Sequence, residues 1–160
     1  MVEETIGATL ATVVARAGQE DALRQLVAER FAVVLPEGSK RVAGTDIAFL
    51  GTGPRKWLVR CEGMETLAPL AQCAAVVDQS GADGILTLSG SHAERLLARA
   101  VAIDLDLQHF PTGSVATTLI EHMGLTIARI DDNAFELYVI RSLGLSFAHW
   151  LSGAIDLIHR

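Results

Sequence analysis

The side chains best suited to chemistry in this chain lie between two apolar runs, in the stretch AAVVDQSGADGILTLSG at residues 74–90. Asp78 offers a carboxylate and Ser80 a hydroxyl two residues later, the groups that acid–base and nucleophilic catalysis use. The same two groups can instead bond to nearby backbone N–H groups and shape a turn between strands. The question is therefore whether these residues form an active site or a corner of the fold.

Two other motifs of the catalytic or binding type are incomplete. Ser80 lacks the G-x-S-x-G setting of a nucleophile elbow. The stretch GTGPRK at 51–56 begins like a phosphate-binding glycine motif, but Lys56 stands in place of the third glycine and Pro54 removes a backbone N–H. A strand rather than a helix follows, so we predict a hairpin turn instead of a nucleotide site.

The remaining polar clusters also favour structural roles. Asp131 and Asp132 precede Asn133, which predicts a solvated hairpin tip. The histidines show no H-x-x-x-H spacing and no pairing with a cysteine, although two of them, at 122 and 149, lie on elements that could meet. They are His92, His109, His122, His149 and His159. We expect no catalytic, cofactor-binding or metal-binding residue in this chain.

Composition limits the possible partners. The chain has 160 residues, is 50% hydrophobic with mean hydropathy +0.35, and carries a net charge of −6. No apolar run approaches the roughly 18 residues of a membrane span, and no basic stripe offers a nucleic-acid surface. The start MVEETIG does not resemble a signal peptide, so a cytoplasmic protein with reduced Cys61 and Cys73 is expected. The surplus apolar surface must enter a core or a protein interface.

Hydrophobic periodicity predicts the elements that position these residues. Predicted strands cover 8–18, the hairpin 46–61, the apolar run of the opening stretch before Asp78, 83–90, 114–122, 124–130 and 134–140. Predicted helices cover 19–31, 64–75, 91–101 with a capping box from Ser91 to Glu94, and 142–158. Residues 35–45 read as a loop. Strands that frame a helix and are followed by a meander and a second helix indicate one α+β domain with pseudo-repeat halves of roughly 1–75 and 76–160.

Two tryptophans are candidate interface anchors. Trp57 follows the glycine turn, and Trp150 lies on the last predicted helix. Trp is enriched among the residues that dominate binding energy. The apolar stripe of that helix is formed by Leu143, Phe147, Trp150, Leu151, Ala154 and Ile158. We expect Trp57 or Trp150 to be buried against a partner; the alternative is that both are covered by their own chain.

Four spaced blocks resemble, in order, the gamma subunit of heterotetrameric sarcosine oxidase. They are FLGTGPRKWLV, AAVVDQSGADGILTLSG, AVAIDLDLQHFPTGSVATTLIEH and DNAFELYVIRSLGLSFAHWL, and the resemblance starts near residue 31. One departure is Val101-Ala102, where that family more often has Cys-Pro. That subunit is in turn similar to the folate-binding domain of the glycine-cleavage aminomethyltransferase, whose frame is matched by Asp78, Ser80, Gly84, Gly90, Asp104 and Leu105. The resemblance implies an internally duplicated α+β fold with two similar strand-helix-strand subdomains.

The departures from the aminomethyltransferases concern the folate chemistry. Those enzymes carry a pair of acids on the strand before the last hairpin, where this chain has Thr126, Ile127 and Ala128. They carry an Asn where this chain has Ile140 and Arg141. Apolar groups cannot replace a carboxylate that holds a proton or an amine. The opening stretch is therefore interpreted as fold: Asp78 and Ser80 shape a corner, and Gly81 and Gly84 allow a tight reversal.

The resemblance implies a gamma-type subunit, itself non-catalytic, of a flavin-dependent sarcosine oxidase complex. Such a complex demethylates sarcosine oxidatively and passes the one-carbon unit to tetrahydrofolate or releases formaldehyde. The flavins, NAD, folate and zinc are expected only in partner subunits, and the other subunits are the expected partners, with no nucleic acid or membrane. The alternatives are a stand-alone folate-binding one-carbon protein and an adaptor unrelated to amine oxidation.

Overall fold

The chain forms two compact units. Its structure is a computed structural model that describes residues 1–5 and 8–158, with side chains up to Asp156. One unit ends at Gly81, and the other begins at Ala82 and includes the first strand of the chain. The predicted halves divide near residue 75, whereas the two units divide at residue 81. The first strand of the chain lies in the first predicted half but belongs to the unit that begins at Ala82. These are called the 8–81 unit and the 82–158 unit.

Ten strands and four α-helices are present in the described residues. The first part of the chain contains β1 (Val2–Thr5), β2 (Thr9–Ala15), α1 (Glu20–Phe31), β3 (Arg41–Ala43), β4 (Ala48–Gly53), β5 (Lys56–Cys61), α2 (Met64–Leu67) and β6 (Ala74–Asp78). The second contains β7 (Asp83–Ser89), α3 (Ala93–Ala98), β8 (Val115–Ile120), β9 (Met123–Asp131), β10 (Ala134–Ile140) and α4 (Gly144–Ile158). Single 3₁₀ turns, Ala68–Gln72 and Arg141–Leu143, follow α2 and precede α4.

Each unit is built on a five-stranded antiparallel sheet, and the two sheets share one topology. The orders are β3-β4-β5-β2-β6 in the 8–81 unit and β8-β9-β10-β7-β1 in the 82–158 unit. In both, a strand leads into a helix, a three-stranded meander follows, and a second helix comes next. The fifth place is taken by β6 in one unit and by β1 in the other. This correspondence confirms the predicted duplicated α+β fold.

Alternating apolar residues create the core of each unit. In the 82–158 unit, Phe135, Leu137 and Val139 of β10 point to the side that Leu97 and Phe147 cover from the helices. In the 8–81 unit, Leu23 and Val27 of α1 are buried in one cluster with the apolar residues of the sheet. Burial of such a side chain typically contributes about 1.5–3 kcal/mol, so these two clusters hold the sheets and their helices together.

The side of α4 that packs on the core agrees with the apolar stripe predicted from the sequence. Phe147 and Leu151 are buried, whereas Trp150 and Ala154 pack against the same core with part of their surface exposed. Leu143 also packs there, but from the 3₁₀ turn before the helix. The side chain of Ile158 lies outside the described residues. No helix in the described part of the chain combines the length and apolar character that a membrane crossing requires.

Three local predictions differ from the structure. Strand β1 was not predicted because two of the four residues of VEET are charged; it becomes a strand by pairing with β7 from Val2 to Thr5. Strand β3 lies inside the predicted loop 35–45 and pairs with β4. The capping box is wrong: α3 begins after His92, which makes no side-chain cap. Glu94 instead accepts a hydrogen bond from Arg129.

Candidate functional site

The polar corner after β6 is held together by its own hydrogen bonds. The Ser80 backbone N–H donates to Asp78 Oδ1 at 2.8 Å, which closes a two-residue turn. The Ser80 hydroxyl accepts from the Leu10 N–H at 3.1 Å and donates to the Leu10 carbonyl at 3.3 Å. The Gln79 N–H also donates to that carbonyl, at 2.7 Å. The Asp78 side chain therefore closes the turn, and the Ser80 side chain bonds that turn to the start of β2.

The electrostatics of the corner do not favour base catalysis by Asp78. Hydrogen bonds from the Ser80 side chain and backbone hold the pKa of Asp78 below its ordinary value. A general base is most effective when its pKa lies near the working pH. Burial raises the pKa of Asp83, at the start of β7. The corner therefore resembles a turn more than a proton-transfer site.

Gly81 and Gly84, the two glycines expected to allow a tight reversal between strands, do not lie at positions that require glycine. Gly84 lies in β7 opposite Val139, and a Cβ there would meet only the Val139 carbonyl oxygen, at 3.9 Å. A Cβ on Gly81 would meet nothing within 4 Å. Neither glycine has the positive φ that disfavours other residues. The expectation that Gly81 and Gly84 permit the reversal is not met, because ordinary backbone conformations suffice there.

The stretch GTGPRK forms the β4–β5 hairpin, as predicted. Its tip carries Arg55 in a left-handed conformation with φ 56°. Trp57 follows in β5 and is only 5% exposed, with its indole N–H donating to the Pro36 carbonyl at 2.9 Å. Trp57 is thus a core residue of the 8–81 unit, covered by its own chain, and not an exposed anchor. Trp150 remains as the candidate interface residue.

Trp150 borders a cleft of the 82–158 unit. The cleft has a volume of about 620 Å³ and lies between α3 and α4, next to the β8–β9 turn. The ring of Trp150 packs on Phe147 with 5.5 Å between ring centroids. Leu96, Ala100 and Ala154 supply further apolar lining. The Trp150 side chain therefore has one edge in the core and another toward the cleft.

Arg129 forms a buried network that sequence reasoning missed. It is 0% exposed, and its Nη2 lies 2.8 Å from Glu94 Oε2. Its other hydrogen bonds go to the carbonyls of Leu105 and Asp132, the latter at 2.5 Å, and its guanidinium lies 4.6 Å from the Phe135 ring centroid. The network ties α3, the 101–114 connection and the hairpin tip together.

A sequence signal for this network existed. Along β9, the inward positions alternate through Leu125, Ile127 and Arg129. A charged residue at an inward position of a strand needs a buried partner. Glu94, the residue predicted to complete a capping box, supplies the opposite charge from a half-buried position.

At the positions of β9 where the aminomethyltransferases carry a pair of acids, this chain has Thr126, Ile127 and Ala128. Ile127 and Ala128 are both 0% exposed. Thr126 Oγ1 lies 3.3 Å from Thr117 Oγ1 on the neighbouring strand. Ile140, at the position of the Asn, is 46% exposed and ends β10. These residues can pack and pair but cannot transfer protons.

The described histidines lie on different segments of the chain. His122 occupies the β8–β9 turn with φ 69°, and His149 is exposed on α4. His109 Nδ1 is 2.9 Å from Asp104 Oδ2 at the surface; His159 lies outside the described residues. Among residues 1–5 and 8–158, no group of three or more His, Cys, Asp or Glu side chains is placed to hold a metal ion.

The chain is a duplicated α+β protein. The polar side chains in the corner after β6 form hydrogen bonds with backbone groups of the same chain. Residues 16–156 match the family model described as the sarcosine oxidase, gamma subunit family. Since this match spans most of the chain, the chain belongs to that family. No curated protein matches the sequence.

Two solved structures share the fold. A chain of the heterotetrameric sarcosine oxidase from Corynebacterium sp. U-96, in complex with pyrrole 2-carboxylate, is 24% identical with a TM-score of 0.85. That alignment covers 98% of this chain and 83% of that chain. The glycine cleavage system aminomethyltransferase T from Bartonella henselae is 14% identical with a TM-score of 0.68, over 95% of this chain and 45% of that chain. Both likenesses support the predicted aminomethyltransferase-like fold.

Proposed function

We propose that this chain is a non-catalytic subunit that helps to assemble a sarcosine oxidase complex. The observation that carries the proposal is the membership of residues 16–156 in the gamma subunit family. The similar Corynebacterium enzyme is a heterotetramer, which supports other subunits of such a complex as the partners. The reaction of the complex would be the oxidative demethylation of sarcosine, with the one-carbon unit passed to tetrahydrofolate or released as formaldehyde.

The non-catalytic role is supported by what the polar residues do in this chain. The Ser80 hydroxyl forms hydrogen bonds with the backbone of Leu10, and Asp78 accepts a hydrogen bond from the Ser80 N–H. The lowered pKa of Asp78 makes it a weak base. At the positions where the related transferases carry acids, Ile127 and Ala128 are buried and apolar. The chemistry would therefore be performed by the partner subunits.

The cofactors of the reaction are assigned to those partners as well. Flavins, a nicotinamide dinucleotide, folate and zinc would be held by the other chains. In this chain, the described His, Cys, Asp and Glu residues do not converge in groups that fit a metal. Both cysteines, Cys61 and Cys73, are buried free thiols, which accords with a reducing cytoplasm as the site of the complex.

Two measurements test this proposal. The tagged chain, purified from its native source, should bring with it flavin-containing subunits in a fixed ratio and with sarcosine-dependent activity. Recovery of the chain alone, or with proteins unrelated to amine oxidation, would contradict it. Titration of the isolated chain with tetrahydrofolate should give no saturable signal. Saturable binding at micromolar concentrations would favour the stand-alone folate protein instead.

A further inference from the structure

We draw no further inference here: the strongest candidate, the cleft between α3 and α4 that Trp150 borders in the 82–158 unit, carries nothing, because nothing in the structure shows which molecule would cover it.

Discussion

Replacement of Arg129 by Ala should strongly destabilise the 82–158 unit. The guanidinium is completely buried and serves three acceptors, the carboxylate of Glu94 and the carbonyls of Leu105 and Asp132. It also packs over the Phe135 ring at 4.6 Å. The substitution removes all of these interactions and leaves a cavity where the side chain was.

The size of the destabilisation depends on how well water can hydrate each group that loses its hydrogen bond to Arg129. The hydrogen bond to the Leu105 carbonyl is buried, and an unsatisfied buried group costs about 1–3 kcal/mol. The Glu94 side chain is 38% exposed and can be hydrated, so its loss of a partner adds little. Lost packing and the lost ring contact add about 2 kcal/mol. We expect a loss of about 3–5 kcal/mol in the free energy of unfolding.

The assay is urea unfolding of the isolated chain, followed by tryptophan fluorescence. The chain has two tryptophans, so a Trp57→Phe background leaves Trp150 as the reporter beside the core of the 82–158 unit. With a slope of about 2 kcal/mol per molar urea, the midpoint should fall by about 1.5–2.5 M.

The matched control is Arg99→Ala, because Arg99 is exposed and has no partner among the described residues. It should change stability by less than about 0.5 kcal/mol. A loss of less than about 1 kcal/mol for Arg129→Ala would refute the view that this network holds the unit together.

Three further predictions concern the 8–81 unit. Because the folded state holds the pKa of Asp78 low, its contribution is present above the ordinary value of about 4 and is lost as the pH falls through the folded value; the melting temperature of Asp78→Asn should therefore approach that of the wild type below about pH 4. Gly51→Ala should cost more than about 2 kcal/mol, measured by urea unfolding, because its Cβ would lie 1.8 Å from the Gly38 carbonyl oxygen. Burial raises the thiol pKa of Cys61 and of Cys73, so both should react slowly with iodoacetamide at pH 7 until the chain is unfolded.

Each of these predictions has a simple contrary result. A difference between Asp78→Asn and the wild type that stays constant down to pH 2 would contradict the assigned pKa shift. Gly53→Ala is the control for Gly51, since its nearest contact is 3.8 Å away, and equal stability of the two variants would contradict the steric argument. Rapid alkylation of either thiol in the folded chain would show that it is accessible.

Much of the fold was predictable because its signals are local. The alternation of Phe135, Leu137 and Val139 and the stripe of α4 identify their buried sides from sequence alone. Strand β1 could not be predicted in this way, since two of the four residues of Val2–Thr5 are charged and the segment is mostly exposed. It acquires its structure from β7, at least 80 residues away. Propensity describes single segments, whereas this strand depends on tertiary pairing.

The candidate site was only partly predictable for a related reason. That Asp78 and Ser80 sit in a turn follows from the D-x-S spacing, because the bond that closes the turn joins residues two apart. The burial of Trp57 depends on Pro36, which accepts its indole N–H from a distant loop. The pairing of Arg129 with Glu94 joins β9 to α3 across 35 residues. The inward position of Arg129 in β9 indicates that it needs a partner, but neither segment indicates which distant residue supplies the contact.

The most direct test of the central claim, that this chain contributes assembly and not chemistry, is the rate of sarcosine oxidation per assembled complex carrying Asp78→Ala. The complex is first purified by size so that only assembled molecules are counted. Because Asp78 accepts its hydrogen bond from Ser80 within its own turn, kcat and KM should both lie within twofold of the wild type. An assembled, folded complex whose turnover is abolished would show that the corner after β6 takes part in the reaction.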